Sequence, residues 1–407
     1  MRSKLVVILP VGAMVDAAGH WVLPAKLVEG MAAFASEWPG EVLALMQRAG
    51  TPSNNLDNRA WAPHELPARF AIVDFAELSA SWNPELDDAV VLAFPDHRLH
   101  GLVRACRARG VPCVLYTELS LRTQLQILFA EKTAWPARAR TAAWLLLNHL
   151  RTRTSITQAA AVQCNGTPSY EACAKLNPNA LLYFDTRTTA DMLASPGDIQ
   201  TRLARRAQGQ PLSLLFSGRL VAIKGVDQLV DMARHLRDAG LAFELLIAGD
   251  GPLRPDIEAR ARDAGLEGVL RCIGVLDFRT ELLPLLRERI DLFVCPHLQG
   301  DPSCTYLETM SAGVPIAGYD NEAFRGLHRI SGAGWQVPSG RPDLLAKQVL
   351  QVAAQPEQLH AHSMAALEFA AKHVFEGEFR QRIEQLKRFR TAAPNALPAT
   401  TAVADAP

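Results

Sequence analysis

The sequence predicts an α/β fold built from two doubly wound, Rossmann-like domains that face each other across a cleft. Three observations carry that expectation. At 407 residues the chain exceeds what one hydrophobic core usually organises, so two domains are expected. Short β-branched runs alternate with longer amphipathic stretches, the pattern of parallel strands covered by helices on both faces. The alternation comes as two series, parted by the polar stretch LARRAQGQPLS at 203–213.

The first strand candidate, KLVVILPV at 4–11, follows a basic start and superficially resembles a secretory leader. Its apolar run stops at Pro10, which suits a strand better than a leader core. Strands follow at 41–47, 68–75, 89–94, 111–118 and 160–166, and a second series at 212–218, 243–250, 269–274, 290–296 and 314–319. Most are near-continuous runs of Val, Ile, Leu and Phe, as strands buried on both faces require. Amphipathic periodicity predicts helices at 225–240 and 252–265, and a terminal helix at 373–389. The expected division is an N-terminal domain over 1–205, a C-terminal domain over 206–372, a terminal helix over 373–390 and a disordered Pro-, Ala- and Thr-rich tail over 391–407.

Composition excludes several classes. Lys plus Arg equals Asp plus Glu at 42 each, so no overall field draws nucleic acid, and any anion site must be local. The seven cysteines show no CxxC pair and no metal-ligand spacing, which fits reduced thiols in a cytoplasmic protein and no metal site. No apolar stretch approaches the ~20 residues that span a bilayer. One segment, 132–154, sets Lys132, Arg138, Arg140, Arg151 and Arg153 around Trp135, Trp144 and a Leu run. Such a stretch could rest on an anionic membrane, or be a core-packed helix with a solvated basic face.

In open parallel sheets ligands bind beyond the carboxyl ends of the strands, so functional residues are sought just after strand candidates. Arg219 and Lys224 satisfy that condition, flanked by Gly218 and Gly225. A guanidinium and an ammonium there would neutralise a diphosphate, unless they are two solvated cations on a loop. After the strand at 290–296 a polar loop leads into a helix that starts near Cys304 and ends at Gly313. Its Glu308 could accept both hydroxyls of a ribose or bridge a neighbouring helix, and the N–H groups of Cys304, Thr305 and Tyr306 would face phosphate or sugar oxygens. In the first half, Gly12 and Gly19 are candidate close-approach glycines and Lys26 could reach an anion. Glu118, at the end of VLYTE, could polarise an acceptor hydroxyl or hold the donor sugar; it could equally be a first-turn residue behind a Thr117 cap. His20, His97 and His100 are alternatives.

The blocks GRLVAIKGVDQLV, LLIAGDGPLRPDIEARARDAGLEGVLRCIGVL and YLETMSAGVPIAG, in this order over 212–375, resemble the C-terminal half of a GT-B glycosyltransferase, and most of all the retaining family 4, glycosyl transferases group 1. The resemblance implies that Arg219 and Lys224 bind the donor diphosphate, that Glu308 binds the ribose and that backbone near Val275 and Leu276 holds the base. It implies a nucleotide-sugar donor, such as a UDP- or GDP-sugar, used as substrate without a cofactor or metal, and retention at the anomeric carbon. It also implies a last helix that crosses back to the first domain, closure about a hinge expected near 205–212, and a glycan or polyprenyl-linked acceptor met in the cytoplasm or at the inner face of a membrane. One departure stands out. The family pairs two glutamates with seven residues between them, whereas Gly300 occupies the first position here, eight before Glu308, with Asp301 beside it. Asp301 would replace the carboxylate after a one-residue shift, or backbone amides with Ser303 and Thr305 would take over the sugar. The rival expectations are a GT-B epimerase or hydrolase and a non-catalytic nucleotide-sugar-binding homologue.

Overall fold

The computed structural model describes residues 3–53, 57–130 and 134–391. Lys132 and the tail beyond Thr391 lie outside the described residues. Two all-parallel sheets organise the chain. The first has seven strands in the order Ala180–Tyr183, Ala161–Asn165, Cys113–Thr117, Ala89–Ala93, Lys4–Ile8, Val42–Met46 and Arg69–Ile72. The second has six, in the order Leu270–Gly274, Phe243–Ala248, Leu212–Ser217, Leu292–Cys295, Ile316–Tyr319 and Trp335–Val337. Both sheets carry apolar clusters on both faces, which is why their central strands read as unbroken hydrophobic runs.

Each sheet is doubly wound and has one switch point where successive strands depart to opposite sides. In the second sheet it lies between Leu212–Ser217 and Leu292–Cys295. The loops leaving those two strands touch: Leu298 N–H donates to the Ile223 carbonyl at 3.1 Å. Gly225, at φ 62°, makes that approach possible, since a Cβ there would run into the Pro296 carbonyl. The fold therefore forces the Lys224 loop against the loop that carries Asp301.

Three features differ from the sequence expectations. A small antiparallel sheet of Met14–Val15, Trp21–Pro24 and Asn58–Trp61 caps the first domain, and its short, half-exposed strands carry no clean alternation to read. Ala180–Tyr183 and Trp335–Val337 are edge strands too short to register as apolar runs. The expected break at 203–213 also lies too late. The helix Pro196–Ala207 belongs to the C-terminal domain, because Arg202 donates to the carbonyls of Arg287 at 2.7 Å, Ala312 at 3.0 Å and Gly313 at 2.6 Å, while Ile199 packs with Leu367. The chain crosses between domains earlier, over 183–189. It crosses again near His373, and the helix Phe375–Lys387 lies on the first domain, where Arg382 Nε donates to Gln163 at 2.9 Å and Ile383 and Leu386 join the core under Phe34.

Among the described residues there is no helix long and apolar enough to cross a membrane. Five cysteines are buried, and all seven are free thiols.

Candidate active site

The switch point of the second sheet delivers the first charged pair. Lys224 is buried, and its ammonium lies 3.3 Å from Asp301, whose carboxylate also accepts from Gln299 at 3.0 Å. Asp301 thus neutralises Lys224. His297, in the same loop, is buried and held neutral: burial first, and then the Lys224 charge, push it well below the ordinary histidine range. Arg219 is exposed on the preceding loop and makes no side-chain bond to a described residue. Val275 is exposed and Leu276 partly buried where the chain leaves Leu270–Gly274.

Glu308 lies in the short helix Thr305–Ser311 and is 4% exposed. Its Oε1 accepts from Arg187 Nε at 2.7 Å, and the Arg187 guanidinium lies 4.1 Å over the Phe278 ring. Arg187 sits in the crossing segment, so the carboxylate is oriented by the hinge rather than by a neighbouring helix. The expectations for the residues before it divide. Tyr306 is buried in the core, with its N–H spent on the Ser303 carbonyl at 3.2 Å and its hydroxyl within reach of Asn321 and His297. Ser303 N–H likewise turns inward, to the Asp301 carbonyl at 2.8 Å. The N–H groups of Cys304 and Thr305 donate to no described residue.

The two domains meet at one ammonium. Lys26, in the first turn of the helix Ala25–Glu37, lies 2.6 Å from Asp185 and 2.7 Å from the Cys304 sulfur. Burial opposes the charge on Lys26, but Asp185 outweighs it and holds the ammonium well above the ordinary lysine range. Asp185 stays below the usual carboxylate range for the converse reason: burial would raise it, and Lys26 prevails. Burial pushes the Cys304 thiol up to about 12. Asn165 connects this junction to Glu118, accepting from Asp185 N–H at 3.0 Å and donating to Glu118 Oε1 at 3.3 Å. Glu118 is enclosed between the domains yet keeps surface open to the cleft. Enclosure first, then the facing carboxylates of Asp185 and Asp301, raise its carboxyl to about 7. Water in the cleft tempers that shift. The cleft thus sets three carboxylates between two ammonium groups.

The two glycines expected near a ligand do other work. A Cβ at Gly12 would press on Ala49, so Gly12 closes the packing of its own domain. Gly19, at φ 84°, turns the hairpin between Met14–Val15 and Trp21–Pro24 and faces open space. His20 pairs with Asp16 in that hairpin, His97 meets Trp144 edge to face, and His100 bonds Asn148 at 2.8 Å, so all three are engaged within the first domain.

Gly300 has a structural reason to lack a side chain. A Cβ there would run into the side chain of Glu322, which comes from the next helix, Glu322–Ser331. The Glu322 carboxylate accepts from Ser120 and, at 2.9 Å, from Thr123 of the first domain, while Gly300 N–H donates to Gln126 at 3.1 Å. A carboxylate therefore does stand beside position 300, supplied from another element. Next to it, on the first domain, opens a cavity of about 540 Å³ lined by Tyr116, Glu118, His149, Arg153 and Lys175 among others.

The residues of the second sheet have recognisable relatives. Residues 211–355 match the family model of the glycosyl transferases group 1. This group 1 segment holds Arg219, Lys224, Asp301 and Glu308. The chain is 32% identical over 130 residues to the 2-deoxystreptamine glucosyltransferase of Streptomyces kanamyceticus, covering 31% of this chain and 33% of the relative. It is 28% identical over 187 residues to the amylovoran biosynthesis glycosyltransferase AmsK of Erwinia amylovora, covering 44% of each. The alignments thus span under half of the curated relatives' length. Whole-chain likeness is found among solved structures: Anabaena Alr3699/HepE in complex with UDP, at TM-score 0.67 and 14% identity over 95% of this chain and 99% of that one, and WaaG, a glycosyltransferase involved in lipopolysaccharide biosynthesis, at TM-score 0.58 and 14% identity over 94% and 99%. The fold is GT-B: the architecture matches along nearly the whole chain, while likeness of sequence to the curated relatives covers less than half of it.

Lys224 and Glu308 are legible from motif spacing. Arg187, Asp185 and Glu322 are not, because each reaches the cleft from a segment with no local pattern of its own.

Proposed function

We propose that the chain is a glycosyltransferase that moves a hexose from a nucleoside-diphosphate sugar to a hydroxyl of a glycan or lipid-linked acceptor in the cytoplasm. The observation that supports this reading most is the buried Lys224 at the switch point of the group 1 domain, with the Arg187-oriented Glu308 on the same loop system. Two relatives that are glycosyltransferases by name, and a fold neighbour solved with UDP, are consistent with a nucleotide-sugar donor.

In this reading Lys224 exchanges Asp301 for the donor diphosphate, Arg219 folds in from the surface, and Glu308 uses its second oxygen on the ribose. The bond between the sugar C1 and the phosphate oxygen breaks with its electron pair on that oxygen. The two cations stabilise the charge as it forms. The acceptor oxygen bonds C1 from the same face, and its proton passes to the departing phosphate, which gives retention. Glu118, at the rim of the acceptor-side cavity, accepts a hydrogen bond from the incoming hydroxyl. The cations supply here the charge that a metal would otherwise provide.

Thermal-shift titration against UDP-, GDP- and ADP-sugars tests donor binding, and nucleotide release on adding acceptor tests transfer. Lys224→Ala should lower release by about a hundredfold. Release that needs no acceptor would turn the reading to a hydrolase or epimerase. Binding without release would turn it to a non-catalytic homologue.

A further inference from the structure

We infer that the acceptor sugar carries a negative charge, which Arg153 and Lys175, with His149 beside them, hold at the rim of the cavity next to Glu118. The inference rests on the sugar-transfer reading and names the acceptor class that this reading leaves open.

The cavity has the build of a sugar site. It opens beyond the carboxyl ends of two adjacent strands of the first sheet, with Phe94 following Ala89–Ala93 and Glu118 following Cys113–Thr117. Its volume of about 540 Å³ lies within the ~300–1,000 Å³ typical of small-ligand pockets. Phe94 and Tyr116, with ring centroids 6.2 Å apart, give it an aromatic side against which the C–H face of a pyranose can pack. Tyr116 spends its hydroxyl on the Ile8 carbonyl at 3.0 Å, so its ring serves as surface and not as a donor.

The helix Trp135–Gln158 makes the opposite wall. It is not packed into the core, since of its 24 residues only Ser155 and Ile156 are buried. His149, Thr152, Arg153 and Ile156 recur at the spacing of one helical face, and all four line the cavity. Asn148, bonded to His100 at 2.8 Å, fastens that face to the domain. Lys175 joins the wall from a second element, just past the helix Gly166–Cys173.

Charge selects the occupant. Arg153 and Lys175 are exposed and form no ion pair with a carboxylate among the described residues. Glu118 is the sole acid among the described residues that line the cavity. Its carboxyl, raised to about 7, repels an anion less than an ordinary glutamate would. The missing counterion is felt at His149, where partial burial first, and then the Arg153 charge, hold the ring below the ordinary histidine range. A neutral sugar leaves that repulsion in place, whereas an anion removes it. A carboxylate or phosphate offers the oxygen pair that the Arg153 fork grips, with Lys175 as a second, point-like charge. An acceptor of this kind is anchored at one end by its charge and presents a hydroxyl to Glu118 at the other.

The test is a ligand-observed NMR titration of the purified full chain with glucose, glucuronic acid and glucose 6-phosphate as probes. An anionic sugar should bind at least about tenfold more tightly than glucose, and the tighter of the two identifies carboxylate or phosphate as the charge that is read. Arg153→Ala with Lys175→Ala should erase the preference, and Arg153→Lys with Lys175→Arg should retain most of it. Both side chains are exposed, so the alanine pair should keep the wild-type melting temperature and the wild-type shift with nucleotide sugars. Lys224→Ala should lose that shift yet keep the preference for an anionic sugar, so failure of donor binding and failure of acceptor selection read out separately. Glucose binding as tightly as both anionic sugars overturns the inference. So does a preference that survives the alanine pair. Inorganic phosphate binding as tightly as glucose 6-phosphate would mark an adventitious anion site only, and overturns it as well.

Discussion

Glu322 accepts a hydrogen bond from Thr123 at 2.9 Å, and so joins the second domain to the first directly over Gly300. The carboxylate and the hydroxyls of Thr123 and Ser120 tie the two domains together at the edge of the cleft lined by Gly300. The missing side chain at 300 is then a steric requirement of this latch.

Glu322→Ala removes a charge-assisted contact of about 1.5–3 kcal/mol between domains. The cleft should open in solution, seen as a larger radius of gyration by X-ray scattering, and the donor KM should rise about tenfold. Gly300→Ala should act in the same direction and more weakly, because Glu322 can swing aside.

Arg187→Ala leaves a buried Glu308 without its partner. Nucleotide affinity measured by calorimetry should fall at least about tenfold, and domain stability by about 2 kcal/mol, less than a fully buried pair because Arg187 is partly exposed. Arg187→Lys should recover charge but not the stack on Phe278, giving an intermediate value.

The raised Glu118 carboxyl has a signed consequence for pH. In the folded protein burial raises it to about 7, from an ordinary glutamate value of 4.5. Its protonated form therefore stabilises the fold below about pH 4.5, and that contribution is lost as pH rises through 7. Glu118→Gln should be more stable than the parent at pH 8 and lose the advantage near pH 5, as read by urea unfolding at both pH values. Equal differences at the two pH values would refute the assignment.

Arg202 ties its own helix to two segments of the C-terminal domain through the carbonyls of Arg287 and of Ala312 and Gly313, and it forms no ion pair with a carboxylate among the described residues. Arg202→Met should cost about 3 kcal/mol in unfolding free energy, since several buried carbonyls lose their donor at once. Nucleotide affinity at saturating folded protein should be unchanged.

The central strands of both sheets are legible in the sequence, because buried parallel strands need unbroken apolar runs, and Lys224 and Glu308 are legible as polar groups placed just after such strands. What was not legible depends on distance in sequence. Asp185 and Arg187 sit in a crossover with no periodicity, and Glu322 reaches position 300 from the next helix. Tyr306 looks like a ligand residue by place in the motif, yet its ring serves the core. The hinge was misplaced because LARRAQGQPLS is polar on the surface of a helix whose other side, Ile199 and Arg202, is bound to the second domain.

The chain passes between domains twice, and the two passages are stitched together: Phe375 N–H donates to the Thr188 carbonyl at 2.8 Å, and Phe184 N–H to Glu378 at 2.9 Å. Two passages fastened side by side should give way as one, like a door leaf on a single pin, so that any opening returns Lys224 and Glu118 to the same mutual alignment.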